Sequence, residues 1–172
     1  TIAVNLWLFA AFFIDGYAAA GNSMGGKLLG AADYDGLWKL AKTIFKYGMV
    51  VSLALMCLGF IFYRPIGHLF SNEEIVLNTF YSIFYIVILG LPMNTLAFIF
   101  DGIFKGMGEM KYLRNVLLAA TFLGFIPCLY IGMYLGLGFY AIWIAFVVWM
   151  MIRGFSLVWK FRRKFRPLVQ NP

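Results

Sequence analysis

The chain has few charged residues: they make up only 12% of its 172 residues, while hydrophobic residues make up 63%. Soluble domains are about half apolar and about a quarter charged, so this composition excludes an ordinary soluble protein. The mean hydropathy is +0.87, and its apolar runs are long and lack a period-2 alternation. Such runs favour helices over a barrel, and the sequence predicts an all-α integral membrane protein.

Residues that build reactive and metal sites are also scarce. The only cysteines, Cys57 and Cys128, each stand alone in an apolar run, and His68 is the one histidine. We find no CxxC pair, no HExxH, no Walker A motif and no Ser/His/Asp set. We therefore expect no enzyme activity, no metal site and no cofactor.

Long apolar segments are what the chain has in abundance. A helix needs about 20 residues to cross the hydrocarbon. Five segments qualify, at roughly 2–24, 44–63, 76–104, 113–135 and 138–159, followed by a basic tail at 160–172.

The net charge of +7 is informative by position. In a membrane protein, basic residues mark the cytoplasmic side, so we expect no nucleic-acid partner. Lys and Arg concentrate in the connections 25–43 and 105–112 and in the tail 160–172, whereas 64–75 and 134–140 are poor in them. The positive-inside rule then predicts a multi-pass protein with its C-terminus in the cytoplasm. We expect its location to be the plasma (inner) membrane.

The first connection ends in an amphipathic segment, "DGLWKLAKTIFK". Its apolar face holds Leu37, Leu40, Ala41 and Ile44, and its lysines are Lys39, Lys42 and Lys46. This pattern is typical of a helix start that lies in the membrane interface. A dedicated lipid-binding patch is the alternative interpretation.

The first span carries two polar residues on one helix face, Asp15 and Asn22, which are seven residues apart. Asp15 precedes Lys27 by twelve residues, or roughly 18 Å of helix, which puts it near the bilayer midplane. A carboxylate at that depth is protonated, paired or facing water. A role in transport and a structural, hydrogen-bonded or ion-paired role are both open.

The third span carries Asn94, Thr95 and Asp101, and Asp101 is only four residues before Lys105. Two interpretations of Asp101 remain: it caps the helix near the headgroups, or it has a buried structural or coupling role. Arg153 is the one basic residue within the last span. It either snorkels to the interface or is buried.

Two features favour bent and closely packed helices. Pro92 and Pro127 each remove an intrahelical hydrogen bond and favour a kink. The segment "DGYAAAGNSMGGKLLGAA" is dense in glycine and alanine, which allow helix backbones to approach each other.

Three segments, in this order, resemble one known family. They are "FIDGYAAAGNSMGGKLLGAAD" (13–33), "FDGIFKGMGEMKYLRN" (100–115) and "IRGFSLVWKFRRKF" (152–165). Together they resemble the second half of a MATE (multidrug and toxic compound extrusion) transporter of the DinF-like branch. The resemblance covers about residues 8 to 166.

That family has twelve helices in two six-helix bundles, and the resemblance matches the five spans to helices eight to twelve. It implies that the chain is a C-terminal bundle fragment whose partner is the missing N-terminal bundle. It also implies a secondary active antiporter, embedded in membrane lipids, that exports organic, often cationic, compounds in exchange for H⁺ or Na⁺ by alternating access.

The resemblance bears on the polar residues as well. It implies that Asp15 and Asn22 line or brace the wall of the second bundle, with Asn94 and Thr95 as neutral donors and acceptors. The sodium-linked branch has a carboxylate near Asn94, and other coupling carboxylates lie in parts of the family's fold outside this chain. Asp15 and Asp101 match branch signatures rather than an established ion site.

Two other functions fit some of these features. A lipid-linked saccharide flippase of the same superfamily would need more cations inside the bundle than Arg153 alone. A non-transporting membrane scaffold would explain the packing motifs but leave Asp15 unexplained.

Overall fold

A computed structural model describes residues 2–70 and 74–170, and every regular element in them is helical. The elements are α1 (Ile2–Gly30), α2 (Tyr34–Phe70), α3 (Glu74–Leu89), α4 (Leu91–Gly106), α5 (Met110–Ala119), a π-helical turn (Ala120–Phe125), α6 (Ile126–Tyr134) and α7 (Phe139–Gln170). Helices suit a lipid environment because all their backbone hydrogen bonds are made within the segment.

The described helices offer four to five candidate membrane spans. Four stretches are long and apolar enough to cross on their own: Val4–Gly30, Tyr34–Gly67, Met110–Tyr134 and Phe139–Val169. The fifth candidate is a pair bent by 46°, which consists of Phe80–Leu89 in α3 and Leu91–Gly106, the whole of α4. The all-α membrane fold that the sequence predicted is therefore confirmed.

Two helices extend well beyond the ranges predicted from hydropathy. Helix α2 starts at Tyr34, where Asp33 accepts a hydrogen bond from the N–H of Gly36 at 2.8 Å and caps the first turn. It continues to Phe70 instead of ending near residue 63. Helix α7 continues through the basic tail to Gln170. Residues 71–73 and 171–172 of the predicted connection and tail lie outside the described residues.

Irregular backbone occurs beside the prolines. The third span bends at the junction before α4, and Pro92 occupies the first turn of α4, where its missing N–H would be unpaired in any case. The π-helical turn runs directly into α6, which has Pro127 in its first turn. In α2 the backbone leaves helical geometry at Phe62 (φ −102°, ψ 16°), three residues before Pro65.

Helices α1 and α4 run parallel, as spans one and three of an alternating topology must. Near one end Trp7 packs on Phe98 with ring centroids 6.1 Å apart, and at the other end Gly26 faces Gly106. Helix α7 runs the same way, because its early residue Phe146 also packs on Trp7, with centroids 5.2 Å apart.

The two ends of the bundle therefore differ in charge. Lys27, Lys105 and the run 160–166 lie at the end where α1, α4 and α7 finish, which we call the basic end. Arg64 lies towards the finish of α2, at the opposite end. The structure thus places the basic connections and the tail together, as the charge pattern predicted.

The closest helix contact is between α1 and α4, through the motif Gly102-x-x-x-Gly106. A Cβ atom on Gly102 would lie 2.2 Å from the carbonyl oxygen of Ala18, and one on Gly106 would lie 2.1 Å from that of Asn22. Only glycine fits at these positions without moving a backbone. Small residues spaced in this way are a common device for packing helices in membranes.

Replacing Gly102 with alanine should lower the melting temperature of the complete protein in detergent. The added methyl group must push α1 away, and overpacking of this kind costs about 1–3 kcal/mol. Gly30→Ala is the matched control, because nothing lies within 4 Å of a Cβ atom at that position. Equal melting temperatures for the two variants would contradict the close contact of α1 with α4.

Candidate functional site

Asp101 lies between α4 and α7 and contacts two cations. One carboxylate oxygen is 3.1 Å from Nη2 of Arg153, and the other is 2.7 Å from Nζ of Lys105. The side chains of Asp101 and Arg153 are only 10% and 12% exposed, whereas that of Lys105 is half exposed. Asp101 is therefore a buried, paired carboxylate, and Arg153 points into the bundle rather than to the interface.

Arg153 also contacts an aromatic ring. Its guanidinium lies 4.9 Å from the ring centroid of Trp149, one turn earlier on α7. The indole N–H of Trp149 donates to the hydroxyl of Thr121 at 3.1 Å, and that hydroxyl donates to the carbonyl of Leu117 at 2.9 Å. This chain of contacts links the ion pair to the π-helical turn.

Three more contacts hold α7 near the basic end. The hydroxyl of Tyr112 donates to the carbonyl oxygen of Ser156 at 3.1 Å, and Lys160 lies 5.1 Å from the ring centroid of Tyr112. Lys164 pairs with Glu109, which follows the positive-φ residue Gly108 after α4. The start of α5 and the turn before it are thereby tied to α7.

Asp15 and Asn22 lie elsewhere, on an exposed face of α1. Neither joins the cluster of Asp101, Arg153 and Lys105. An ionised carboxylate at mid-span is too costly to face hydrocarbon. This face of α1 therefore suits contact with water or with a polar protein surface.

Asn94 and Thr95 are buried, at 4% and 0% exposure, and so do not extend the exposed face that carries Asp15. The hydroxyl of Thr95 donates to the carbonyl of Leu91 at 3.0 Å, within α4. Its methyl group lies 3.2 Å from the position of a Cβ atom on Gly48, so Thr95 packs towards α2. Its hydrogen-bonding capacity is used inside the helix rather than offered to a cavity.

Sequence reasoning missed three residues that contact Asp101 or Arg153, directly or through one another: Lys105, Trp149 and Thr121. Two of them carried a local signal, because Lys105 follows Asp101 by four residues and Trp149 precedes Arg153 by four. Residues at that spacing face each other on a helix. Thr121 carried no such signal, because its contact with Trp149 crosses from one helix to another.

Within residues 2–70 and 74–170, no three His, Cys, Asp or Glu side chains come together in a way that could hold an ion.

Replacing Arg153 with glutamine should destabilise the complete protein strongly. Removing one partner of a buried ion pair costs about 3–5 kcal/mol when the other charge is left unpaired. Asp101 would keep Lys105 as a half-exposed partner, so we expect a loss near the lower end of that range. The control is Lys39→Gln, which breaks the pair of Lys39 with Asp35 at 2.5 Å on an exposed surface. Thermal unfolding in detergent should show a large fall for Arg153→Gln and no measurable change for the control. An unchanged melting temperature for Arg153→Gln would show that the pair does not hold α7 to α4.

Comparison with known proteins identifies the family by sequence. The MatE family model matches residues 1–131. Among curated proteins, Protein DETOXIFICATION 45, chloroplastic, of Arabidopsis thaliana is 27% identical over 168 residues, covering 92% of this chain and 29% of its own length. Protein DETOXIFICATION 43 of the same plant is 25% identical over 155 residues, covering 90% and 29%. This chain thus spans under a third of the length of these relatives.

Solved structures show the same fold. An inward-facing multidrug resistance MATE family transporter of the MOP superfamily matches 98% of this chain and 39% of its own, at TM-score 0.85 and 20% identity. A MATE protein in complex with MaL6 matches 99% and 39%, at TM-score 0.83 and 19% identity. Because the family model covers 131 of the 172 residues, this chain belongs to the MatE family, as its resemblance in sequence predicted.

Proposed function

We propose that this chain forms one wall of a MATE-type antiporter that exports bulky organic, often cationic, compounds in exchange for H⁺ or Na⁺. The observation that carries the proposal is the match of 98% of the chain, at TM-score 0.85, to a multidrug resistance MATE family transporter. The chain covers 39% of that protein. The proposal therefore includes a facing N-terminal bundle, a plasma-membrane location with a cytoplasmic C-terminus, and the DinF-like branch.

The exposed polar face of α1 supports this proposal. Asp15 and Asn22 share that face, which suits the wall of a water-filled cavity or a contact with a second bundle. Ser23 on the same helix is exposed too, although its hydroxyl donates to the carbonyl of Ala20 at 3.3 Å. In this proposal Asp15 is the group whose charge responds to the coupling ion or to a cationic substrate.

The buried ion pair supports alternating access. It connects α4 to α7, and Gly102 and Gly106 allow α4 to pack closely on α1. We therefore expect α1, α4 and α7 to move together as one rigid body. Rigid-body rocking of bundles around a central site is a common mechanism in transporters of this kind. The pair also weighs against a flippase for lipid-linked saccharides, because Asp101 neutralises Arg153, the one cation in the predicted span 138–159.

Asp15→Asn in the complete protein should keep expression and melting temperature while reducing drug efflux towards the empty-vector level or shifting its pH dependence. The reason is that the amide keeps the size of the side chain but loses its charge. Efflux between about pH 6 and pH 8 and thermal unfolding should be measured side by side. Asp35→Asn is the control, since Asp35 is an exposed carboxylate outside the predicted spans.

Each other outcome has a definite meaning. A large fall in melting temperature for Asp15→Asn would assign Asp15 a structural role. Wild-type efflux with an unchanged melting temperature would remove Asp15 from the mechanism.

Labelling of single cysteines tests the proposed orientation. In a background with Cys57→Ser and Cys128→Ser, Lys111→Cys at the basic end should be protected from an impermeant thiol reagent added outside intact cells. Leu135→Cys at the opposite end, where the native side chain is 65% exposed, should react. The reverse pattern would invert the topology.

A further inference from the structure

A groove opens between α2, α4 and α7 on the outside of the bundle. Its volume is about 290 Å³, and its walls are mostly apolar, including Phe45, Leu96, Phe100 and Phe155. A second cavity of about 440 Å³ continues from it towards the basic end and is lined by Trp38, Lys42, Arg162, Arg166 and Val169. The two cavities share Trp38, Lys42 and Arg162, so they form one continuous site, which we call the α2–α7 groove.

The polarity of the α2–α7 groove changes along its length. Along α7 the lining runs from Phe155 through Val158 to Arg162 and then Arg166, about 16 Å of helix at 1.5 Å per residue. The groove is thus apolar where the spans are deepest in hydrocarbon and cationic where α7 leaves it. An amphiphile with an apolar chain and an anionic head is complementary to this arrangement, because its chain matches the apolar part and its head has the opposite charge to the cations.

The charges of the α2–α7 groove are unbalanced. Its lining includes the cations Lys42, Arg162 and Arg166, and none of the described residues that line it is acidic. The nearby carboxylates of Asp33 and Asp35 are engaged, by the N–H of Gly36 and by Lys39 respectively. Guanidinium groups favour phosphate because they offer paired N–H donors.

Aromatic rings give the groove a preformed shape. Trp38 stacks on Phe161 with centroids 5.6 Å apart and planes at 12°, and Phe100 meets Phe161 edge to face at 5.5 Å. Lys42 lies 5.5 Å from the ring centroid of Trp38. These three rings lie on α2, α4 and α7, contact one another, and form part of the wall of the groove.

From this geometry we propose that the α2–α7 groove binds an anionic phospholipid. One acyl chain lies along Phe45, Phe100 and Phe155, and the phosphate is held by Lys42, Arg162 and Arg166. Basic pockets between membrane helices are suited to such headgroups, which are abundant in the cytoplasmic leaflet. The proposal concerns lipid binding and does not depend on what the protein transports.

Native mass spectrometry of the complete protein in detergent tests this directly. The probes are phosphatidylglycerol, phosphatidylcholine with the same acyl chains, and free glycerol phosphate. Phosphatidylglycerol should bind more tightly than phosphatidylcholine and raise the melting temperature, while glycerol phosphate should do neither at the same concentration. Each cation removed from the groove should weaken phosphatidylglycerol binding about fivefold.

Three variants separate this site from general surface charge. Arg162→Gln and Arg166→Gln remove lining cations, whereas Arg163→Gln removes an equal charge from an arginine that lies over the ring of Trp159, outside the groove. Val158→Phe fills the apolar part and leaves every charge in place. We expect Arg162→Gln, Arg166→Gln and Val158→Phe to weaken binding and Arg163→Gln to leave it unchanged.

Several results would overturn the proposal. Equal binding of the two lipids would remove the role of the anionic head, and binding of glycerol phosphate alone would indicate a site for free phosphate groups. Equal losses for Arg163→Gln and Arg162→Gln would indicate diffuse attraction to the basic end. No lipid binding by the complete protein would mean that another part of the protein covers the groove.

Discussion

The backbones of α1 and α4 touch, and the arrangement of the other helices depends on that contact. Lipid tails are as apolar as leucine side chains, so helices in a membrane associate through close packing rather than through removal of apolar surface from water. Gly102 and Gly106 allow this packing on one side of α4. The other sides of α4 receive α2, where Gly48 lies against Ile99, and α7, where Gly154 lies against Leu96. Helix α4 is thus the central element, with glycine at its interfaces with α1, α2 and α7.

The ion pair of Asp101 with Arg153 fixes how α7 is rotated about its axis relative to α4. Removing two charges from water is costly, and their attraction recovers that cost only when the geometry is good. A rotation of α7 about its own axis would keep many of the apolar contacts but would leave Arg153 unpaired in a low-dielectric setting and Asp101 with Lys105 alone. The contacts of Arg153 with Trp149, and of Trp149 with Thr121, extend the same constraint to the fourth span. The pair therefore selects one rotation of α7 among several of similar apolar burial.

Much of the fold could be predicted from the sequence because the relevant signals are local. The lengths of the apolar segments predict the membrane spans, and the distribution of Lys and Arg predicts which helix ends lie on the same side of the bundle. The ends of α2 and α7 were less predictable. Hydropathy marks only the part of a helix that lies in lipid, whereas Lys, Arg and Leu also favour helix in water, so the helices continue beyond the apolar segments. The pairing of Asp101 with Arg153 was beyond reach, since the two residues are far apart in the sequence and only the relative rotation of α4 and α7 brings them together. The burial of Thr95 depends on the rotation of α4 relative to α2.

Helix α7 is longer than a bilayer requires. Its 32 residues extend about 48 Å, whereas the hydrocarbon core is about 30 Å thick. The last turns of α7 therefore stand outside the hydrocarbon as a rigid arm, held at its base by Tyr112 and Glu109. A small change in the tilt of α7 inside the membrane becomes a larger sideways displacement at the end of the arm. Because Arg162 and Arg166 are one turn apart on this arm, a tilt carries their charges together across the surface of the membrane.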